Sequence, residues 1–206
     1  MKGKVKVGQI TSEIESEALK VLIRAILDDP TKIWFFEDGI ERIYHTTWIL
    51  QRMSKVIAQF GHRYTLTVDS QPVGTALWIP PDMHMTYFQL IKNGLLKLPF
   101  KVGIKNFLRI MNSMDYADKL QQEILQGRKH WQLYYIGVDP NHQGKGYGSK
   151  LMEPVLKMAD KDGHPVFLEN FTVANTRFYE RNGFKVVKKH EFTPKALMRC
   201  MMREPK

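Results

Sequence analysis

The first clear periodicity along the chain falls in "ESEALKVLIRAILDD". There Leu19, Leu22, Ile23, Ile26 and Leu27 recur at three- and four-residue steps, the signature of one helical face, and Pro30 is expected to end the helix. A second stretch, from about Gly39 to Gln59, puts Ile40, Ile43, Tyr44 and Trp48 at the same steps and predicts another helix. The pattern then changes to two-residue alternation in "RYTLTVDSQPVGTALWIP", which reads as two strands around a Ser-Gln-Pro turn. Further on come an apolar run rich in strand formers, "WQLYYIGV", a glycine-rich turn, a helical pattern in "GSKLMEPVLKMADKDG", a strand in "PVFLEN", a helix in "NTRFYERNGF" and a closing strand pair. There are no internal repeats.

One stretch interrupts this order. Residues 81–129 separate the hairpin from the "WQLYYIGV" strand, and a structureless loop of that length inside a compact domain is improbable, so a mostly helical insertion is expected. Within it Lys97, Lys101, Lys105 and Arg109 fall at four-residue intervals, and no acid occurs between Asp82 and Asp115. The stripe reads either as the solvated side of an amphipathic helix, opposite Ile104, Phe107, Leu108 and Met111, or as a contact for anions or a membrane surface. Pro99 and Gly103 interrupt the early part of that helix on either reading.

Composition narrows the class. A chain of 206 residues with 43% hydrophobic content can build one domain, 1–206, around a real core. A single cysteine, Cys200, excludes an intrachain disulfide and fits a reducing compartment, and no segment approaches the length of a bilayer span, so a cytoplasmic protein is expected. The formal charge of +10 favours anionic partners: nucleic acid, a membrane surface or a polyanionic cofactor.

The candidate chemistry sits in "DPNHQGKGYGSKL". A P-loop needs glycine, then four free positions, ahead of Gly144-Lys145 and a hydroxyl residue after it, but Asp139 and Gly146 stand there; the dinucleotide fingerprint fails because Ser149 and Leu151 occupy its third glycine position. What is left is strand, glycine turn, helix. Such a turn offers unpaired backbone N–H groups at a helix start, where the macrodipole adds partial positive charge and a phosphate fits. Gly144, Gly146 and Gly148 permit close approach and Lys145 adds charge at the rim; the competing reading is a solvent-exposed turn with glycines as punctuation.

Gln143-x-x-Gly146-x-Gly148 after a "GV-x-P" strand end resembles the acetyl-CoA signature of the GNAT family of N-acetyltransferases. From Trp131 to about Pro205 the likeness continues through "PVFLEN", "NTRFYERNGF" and the last strand pair, and in this part it is most similar to the puromycin N-acetyltransferase-type subgroup. The resemblance implies an α/β fold of mixed character: a central, mostly antiparallel sheet flanked by helices, with 81–129 as a helical insertion before the cofactor-binding strand. It implies acetyl-CoA as cofactor, held by Ile136, Gly137, Val138, Gln143, Gly144, Lys145, Gly146, Tyr147, Gly148, Ser149, Asn175 and Tyr179, and a primary amine of a small molecule, or a peptide amine, as acceptor. No metal is required.

The implied reaction is direct attack of an amine on the acetyl thioester, which calls for three groups. A base must take the proton of an amine whose unperturbed pKa is ~10.4; Glu169 is the first candidate, with His130 and Tyr134 behind it, and an exposed or salt-bridged carboxylate is the competing reading of Glu169. A backbone N–H near Gly137 or Val138 would meet the developing oxyanion, while Ile136 and Val138 pair with the pantetheine arm. Tyr179 would protonate the leaving thiolate, with Asn175 one turn earlier on the same face; the alternatives are a packed aromatic and a helix N-cap. Trp34, Phe36, Tyr134 and Glu169 are expected to receive the acceptor. Two other functions fit the same residues: a catalytically silent acyl-CoA-binding module, and a basic binder of nucleic acid or membrane surfaces. Monomer or homodimer is expected, with no specific nucleic acid and no membrane span.

Overall fold

Val5 and Val7 alternate with lysine and glycine, and Val5–Gln9 forms an edge strand, β1. It is the first of seven strands in the computed structural model, which describes residues 3–83, 85–193 and 196–206. The others are β2 (His62–Val68), β3 (Gln71–Ile79), β4 (Trp131–Val138), β5 (Val166–Asn170), β6 (Lys185–Thr193) and β7 (Ala196–Arg203). Their order across the sheet is β1-β2-β3-β4-β5-β7-β6. All neighbours are antiparallel except β4 and β5. The hairpin between β2 and β3 turns at Asp69 and Ser70, both with positive φ (49° and 69°), rather than at Ser-Gln-Pro. Two such residues match the twist of paired strands, and Pro72 is carried inside β3, next to the irregularity at Leu66/Thr67.

The helices follow the predicted order with informative differences. α1 (Glu15–Ile26) buries Leu19, Leu22 and Ile23 as expected. Pro30 does not end it but opens a further helix, α2 (Pro30–Phe35), where its missing N–H costs nothing and Asp29 caps Thr31 N–H at 2.9 Å. α3 (Gly39–Ile57) is capped by Asp38, but its burial starts only at Thr46; Ile40, Ile43 and Tyr44, assigned to its apolar face, are exposed. The insertion supplies α4 (Tyr87–Lys92), a short 3-10 turn (Leu95–Lys97) and α5 (Leu98–Leu125). After β4 come α6 (Tyr147–Asp162) and α7 (Val173–Arg181).

Alternation along the central strands sends side chains into two cores. On one face Trp78, Val166 and Leu168 pack with Leu151, Val155 and Tyr179 of α6 and α7; on the other Leu77 and Ile79 pack with Leu19, Leu22 and Leu50 of α1 and α3. The C-terminal part of α5 lays Leu120 and Leu125 on Phe167, Met198 and Cys200. Its N-terminal part packs Leu98, Val102 and Ile110 on Phe36 and Trp48. Within the N-terminal part the backbone leaves helical geometry at Gly103 (φ 76°, ψ 153°), so the four lysine and arginine positions do not lie on one continuous helix. Ile104 and Leu108, placed on the inward face by the sequence pattern, are exposed.

The feature that positions the site is a failure of pairing. β4 and β5 run parallel but are in register only at Trp131/Val166 and Gln132/Phe167, after which they splay apart.

Candidate functional site

The Asp139 N–H donates to the Val73 carbonyl (2.9 Å), on the β3 side of β4. Successive residues of a strand address opposite edges, so Val138 and Ile136 present their N–H and C=O groups to the other edge, where β5 has diverged. Tyr134 is an extra residue in this strand, since Tyr135 faces Leu77 and Leu133 faces Trp78. Such a bulge bends the strand beside the opening. The open edge is available to an extended ligand arm, and Gln143 Nε2 already donates to the Val138 carbonyl at 3.1 Å.

The glycine turn continues directly from this edge. Arg24 of α1 donates twice to Asp139 Oδ2 (2.9 and 2.7 Å), and Asn141 N–H donates to Oδ1 (3.0 Å). Burial works against the charged form of Asp139, but these donors and nearby His142 outweigh it and leave its carboxyl below the usual range. The pair thus fixes where the turn leaves the sheet. Gly146 is the N-cap residue of α6 in left-handed conformation (φ 74°), which side chains rarely adopt; no side chain caps the helix and no acid lies in its first turn. The N–H groups of that turn are therefore free to bind an anion. Gly137 serves a different end: a Cβ there would fall 2.5 Å from the Ala25 Cβ, so only glycine lets α1 sit against the end of β4.

Open edge, glycine turn and the gap between β4 and β5 form one cavity of about 1110 Å³. Of the residues singled out from the sequence, Phe36, Tyr134, Ile136, Gly137, Val138, Gln143, Gly144, Gly146, Tyr147, Gly148, Ser149, Glu169, Asn175 and Tyr179 line it. Lys145 is exposed on the loop and Trp34 lies elsewhere, neither forming part of the wall. Trp34 packs against Phe35 and Phe192, with the Arg109 guanidinium 5.3 Å from its ring centre, because α2 turns this side chain towards α5. His130 also stands apart, its ring nitrogens meeting Gln121 (2.7 Å) and the Arg128 carbonyl (3.0 Å).

Tyr179 is buried, with Phe178 and Phe184 against its ring (centroids 5.0 and 5.8 Å apart). Burial, with a smaller contribution from Asp29, pushes its hydroxyl well above the ordinary tyrosine value, so it stays protonated. The cap of α7 is Thr172, whose Oγ1 accepts from Asn175 N–H at 3.1 Å. The Asn175 side chain is thereby left to the cavity.

Glu169 is half-buried in the wall on β5. Desolvation, then the charge of Asp118, raises its carboxyl to about 7. Among the described residues neither Glu169 nor Asp118 has an ion-pair partner closer than 4.0 Å. Burial and then the neighbouring Asp115 raise Asp118 in turn, and Tyr134, desolvated and close to Tyr135, feels Glu169 and Asp118 as well. Glu169 and Tyr134 line the cavity, whereas Asp118 is exposed on α5 outside its wall and acts on both through its charge. Asp118 comes from α5 and was not singled out in the sequence, where it is one of two acids in "SMDYADKL"; the signal was that Asp115 has Lys119 four residues on (2.7 Å) whereas Asp118 has no such partner. Arg24 and Asp139 were also missed, being 115 positions apart.

Residues 112–186 match the Acetyltransferase (GNAT) domain family. An uncharacterized N-acetyltransferase of Schizosaccharomyces pombe is 28% identical over 196 residues, spanning 92% of this chain and 79% of its own. Among solved structures, a histone acetyltransferase HPA2 and related acetyltransferase from Corynebacterium glutamicum superposes with a TM-score of 0.66 at 17% identity, covering 100% of this chain and 98% of that one. The Drosophila melanogaster polyamine N-acetyltransferase superposes with a TM-score of 0.65 at 14% identity, covering 98% and 100%.

Proposed function

Starting from a chain that carries a GNAT acetyltransferase domain and is therefore an acyltransferase, we propose that it transfers the acetyl group of acetyl-CoA directly to a primary amine of a small cationic molecule. The observation that carries this reading is a shared cavity: the uncapped start of α6, the open edge of β4, Glu169 and Tyr179 all line one space. The turn 143–149 would take the pyrophosphate on its backbone N–H groups, with Lys145 adding charge from the rim. The pantetheine arm would lie along Ile136 and Val138 as a short added strand, with Asn175 bonding to it from α7.

Glu169 takes a proton from the acceptor's ammonium or attacking amine, which works best for a base whose pKa is near the operating pH. The neutral nitrogen bonds to the thioester carbon, and the oxygen gains charge. Of Gly137 and Val138, it is Val138 whose N–H faces the open edge and can meet that oxygen. The C–S bond would then break, with the Tyr179 hydroxyl donating its proton to the departing sulfur and the tyrosinate so formed taking up the excess proton of the newly bonded nitrogen. Phe36, Tyr134 and Glu169 would hold the acceptor, aromatic faces taking its body and the carboxylate its charge. The polyamine acetyltransferase that shares the fold acts on acceptors of this charge type. The narrower likeness to puromycin N-acetyltransferases rests on the two C-terminal motifs alone.

The test is thiol release from acetyl-CoA over a panel of amines. Diamines and guanidinium-bearing amines should turn over faster than neutral or acidic amines of the same length. Tight CoA binding without thiol release for any amine would instead make the chain a silent acyl-CoA-binding module.

A further inference from the structure

Among the described residues, half of the large hydrophobic side chains that the fold leaves exposed, six of twelve, belong to one stretch of the chain. Phe100 is 90% exposed, Phe88 73% and Leu96 67%, and Ile91, Ile104 and Leu108 are exposed beside them in sequence. All six belong to α4, the 3-10 turn and the first half of α5, whose backbone break at Gly103 turns Ile104 and Leu108 outward. A soluble surface rarely gathers so many apolar side chains without using them. The same segment carries Lys92, Lys97, Lys101, Lys105 and Arg109, and not one acid from residue 83 to residue 114. Lys92, Lys97, Lys101 and Lys105 are exposed; the Lys101 amine reaches Tyr44 Oη at 3.1 Å, which ties the segment to exposed Ile40, Ile43 and Tyr44 of α3. Glu41 of α3 is an acid at this border: burial lowers the pKa of His45, Glu41 opposes that and Lys101 adds to it. Ile91 and Leu96 also line the large cavity, so the patch is continuous with the apolar side of the acceptor space.

We propose that this face docks on an anionic lipid surface, with Phe88, Phe100 and Ile104 entering the headgroup boundary and the lysines meeting the lipid phosphates and carboxylates. Apolar side chains ringed by lysine and free of acid match such a surface in both respects. A second copy of the chain is a poorer occupant, because a two-fold contact through this face would set five cations against the same five. Nucleic acid would use the cations but has no place for leucine and isoleucine. Docking would bring the cavity's Ile91–Leu96 border to the lipid, giving amines with apolar tails a direct way in. The inference does not depend on the transfer chemistry.

The measurement is co-sedimentation of the full chain with vesicles of phosphatidylcholine, with and without phosphatidylserine, at low and physiological salt. Binding should require phosphatidylserine and fall with salt. Lys97→Gln with Lys105→Gln should weaken it more than tenfold, at roughly fivefold per lysine. Phe100→Ser with Ile104→Ser should abolish it, and because neither residue lines the cavity, both variants should keep the melting temperature and the turnover of a soluble amine. Equal binding of both vesicle types, or none at physiological salt, overturns the proposal. So does a dimer in solution that Phe100→Ser with Ile104→Ser converts to monomer, which would make a second copy the occupant. A Lys97→Gln, Lys105→Gln protein that binds vesicles as wild type does would also overturn it.

Discussion

Glu169 differs from an ordinary carboxylate by its surroundings, and two measurements should register the difference. Its value of about 7 in the fold, against 4.5 for an unperturbed group, means that between those pH values the folded chain holds a proton the unfolded chain has lost. Stability therefore falls as pH rises through that window. Glu169→Gln removes the cost: the variant should be more stable than wild type at pH 8, by up to about 3 kcal/mol, and indistinguishable near pH 4. Denaturant titrations at the two pH values check this. The same variant should lose most of its turnover, and wild-type turnover should rise with pH through about 7 as the base ionises. Asp118→Asn takes away the charge that, after desolvation, lifts Glu169, so the acid limb of the rate profile should move to lower pH; an unmoved limb would separate Asp118 from the base. For Tyr179, Phe keeps the ring packing and removes only the donor. Turnover should drop roughly 10²-fold with CoA affinity unchanged, and near-equal turnover with chemistry rate-limiting would leave Tyr179 a packing residue. Glu169 and Tyr179 were legible in the sequence because short motifs flank them. Asp118 was not, since a lone aspartate on a helix reads as solvated, and only the fold brings its charge within reach of Glu169.

At the scale of elements, α6 has left-handed glycines at both ends, Gly146 and Gly163 (φ 74° and 69°), and only the first belongs to the cavity. Valine at either position carries the same backbone strain, about 1–2 kcal/mol. Gly146→Val should weaken CoA binding at least tenfold, ~1.4 kcal/mol, whereas Gly163→Val should lower the melting point similarly and leave CoA affinity alone. Isothermal titration with both proteins separates the site from the strain. The strand, glycine turn and helix of this region could be read from the sequence because each needs particular residues locally. The phases of α3 and α5 could not. Ile40, Ile43 and Tyr44 have helical spacing, but burial depends on whether a neighbour covers that turn, and cover begins only at Thr46. In α5 the periodicity runs through Gly103 while the backbone does not. β1 went unread because its two valines are set among lysines.

Across the whole molecule, the sheet is two ladders, β1–β4 and β5-β7-β6, joined by two residue pairs at one end of β4 and β5. The helix and strand order foretold a mixed sheet, but not that narrow seam, because register between distant strands leaves little trace in either one. Read as a problem in cooperativity, the seam makes the last third of the chain the part most able to open by itself, with few backbone bonds to break between the ladders. A pantetheine arm along Ile136 and Val138 would act as a missing rung. Amide hydrogen exchange followed by mass spectrometry should then show fast exchange at Ile136 and Val138 in the free protein, slowed on adding CoA, with slower exchange spreading into β5 and β7 although neither lies against the pyrophosphate turn. Protection confined to residues 143–149 would mean that the ligand leaves the two ladders to fluctuate independently.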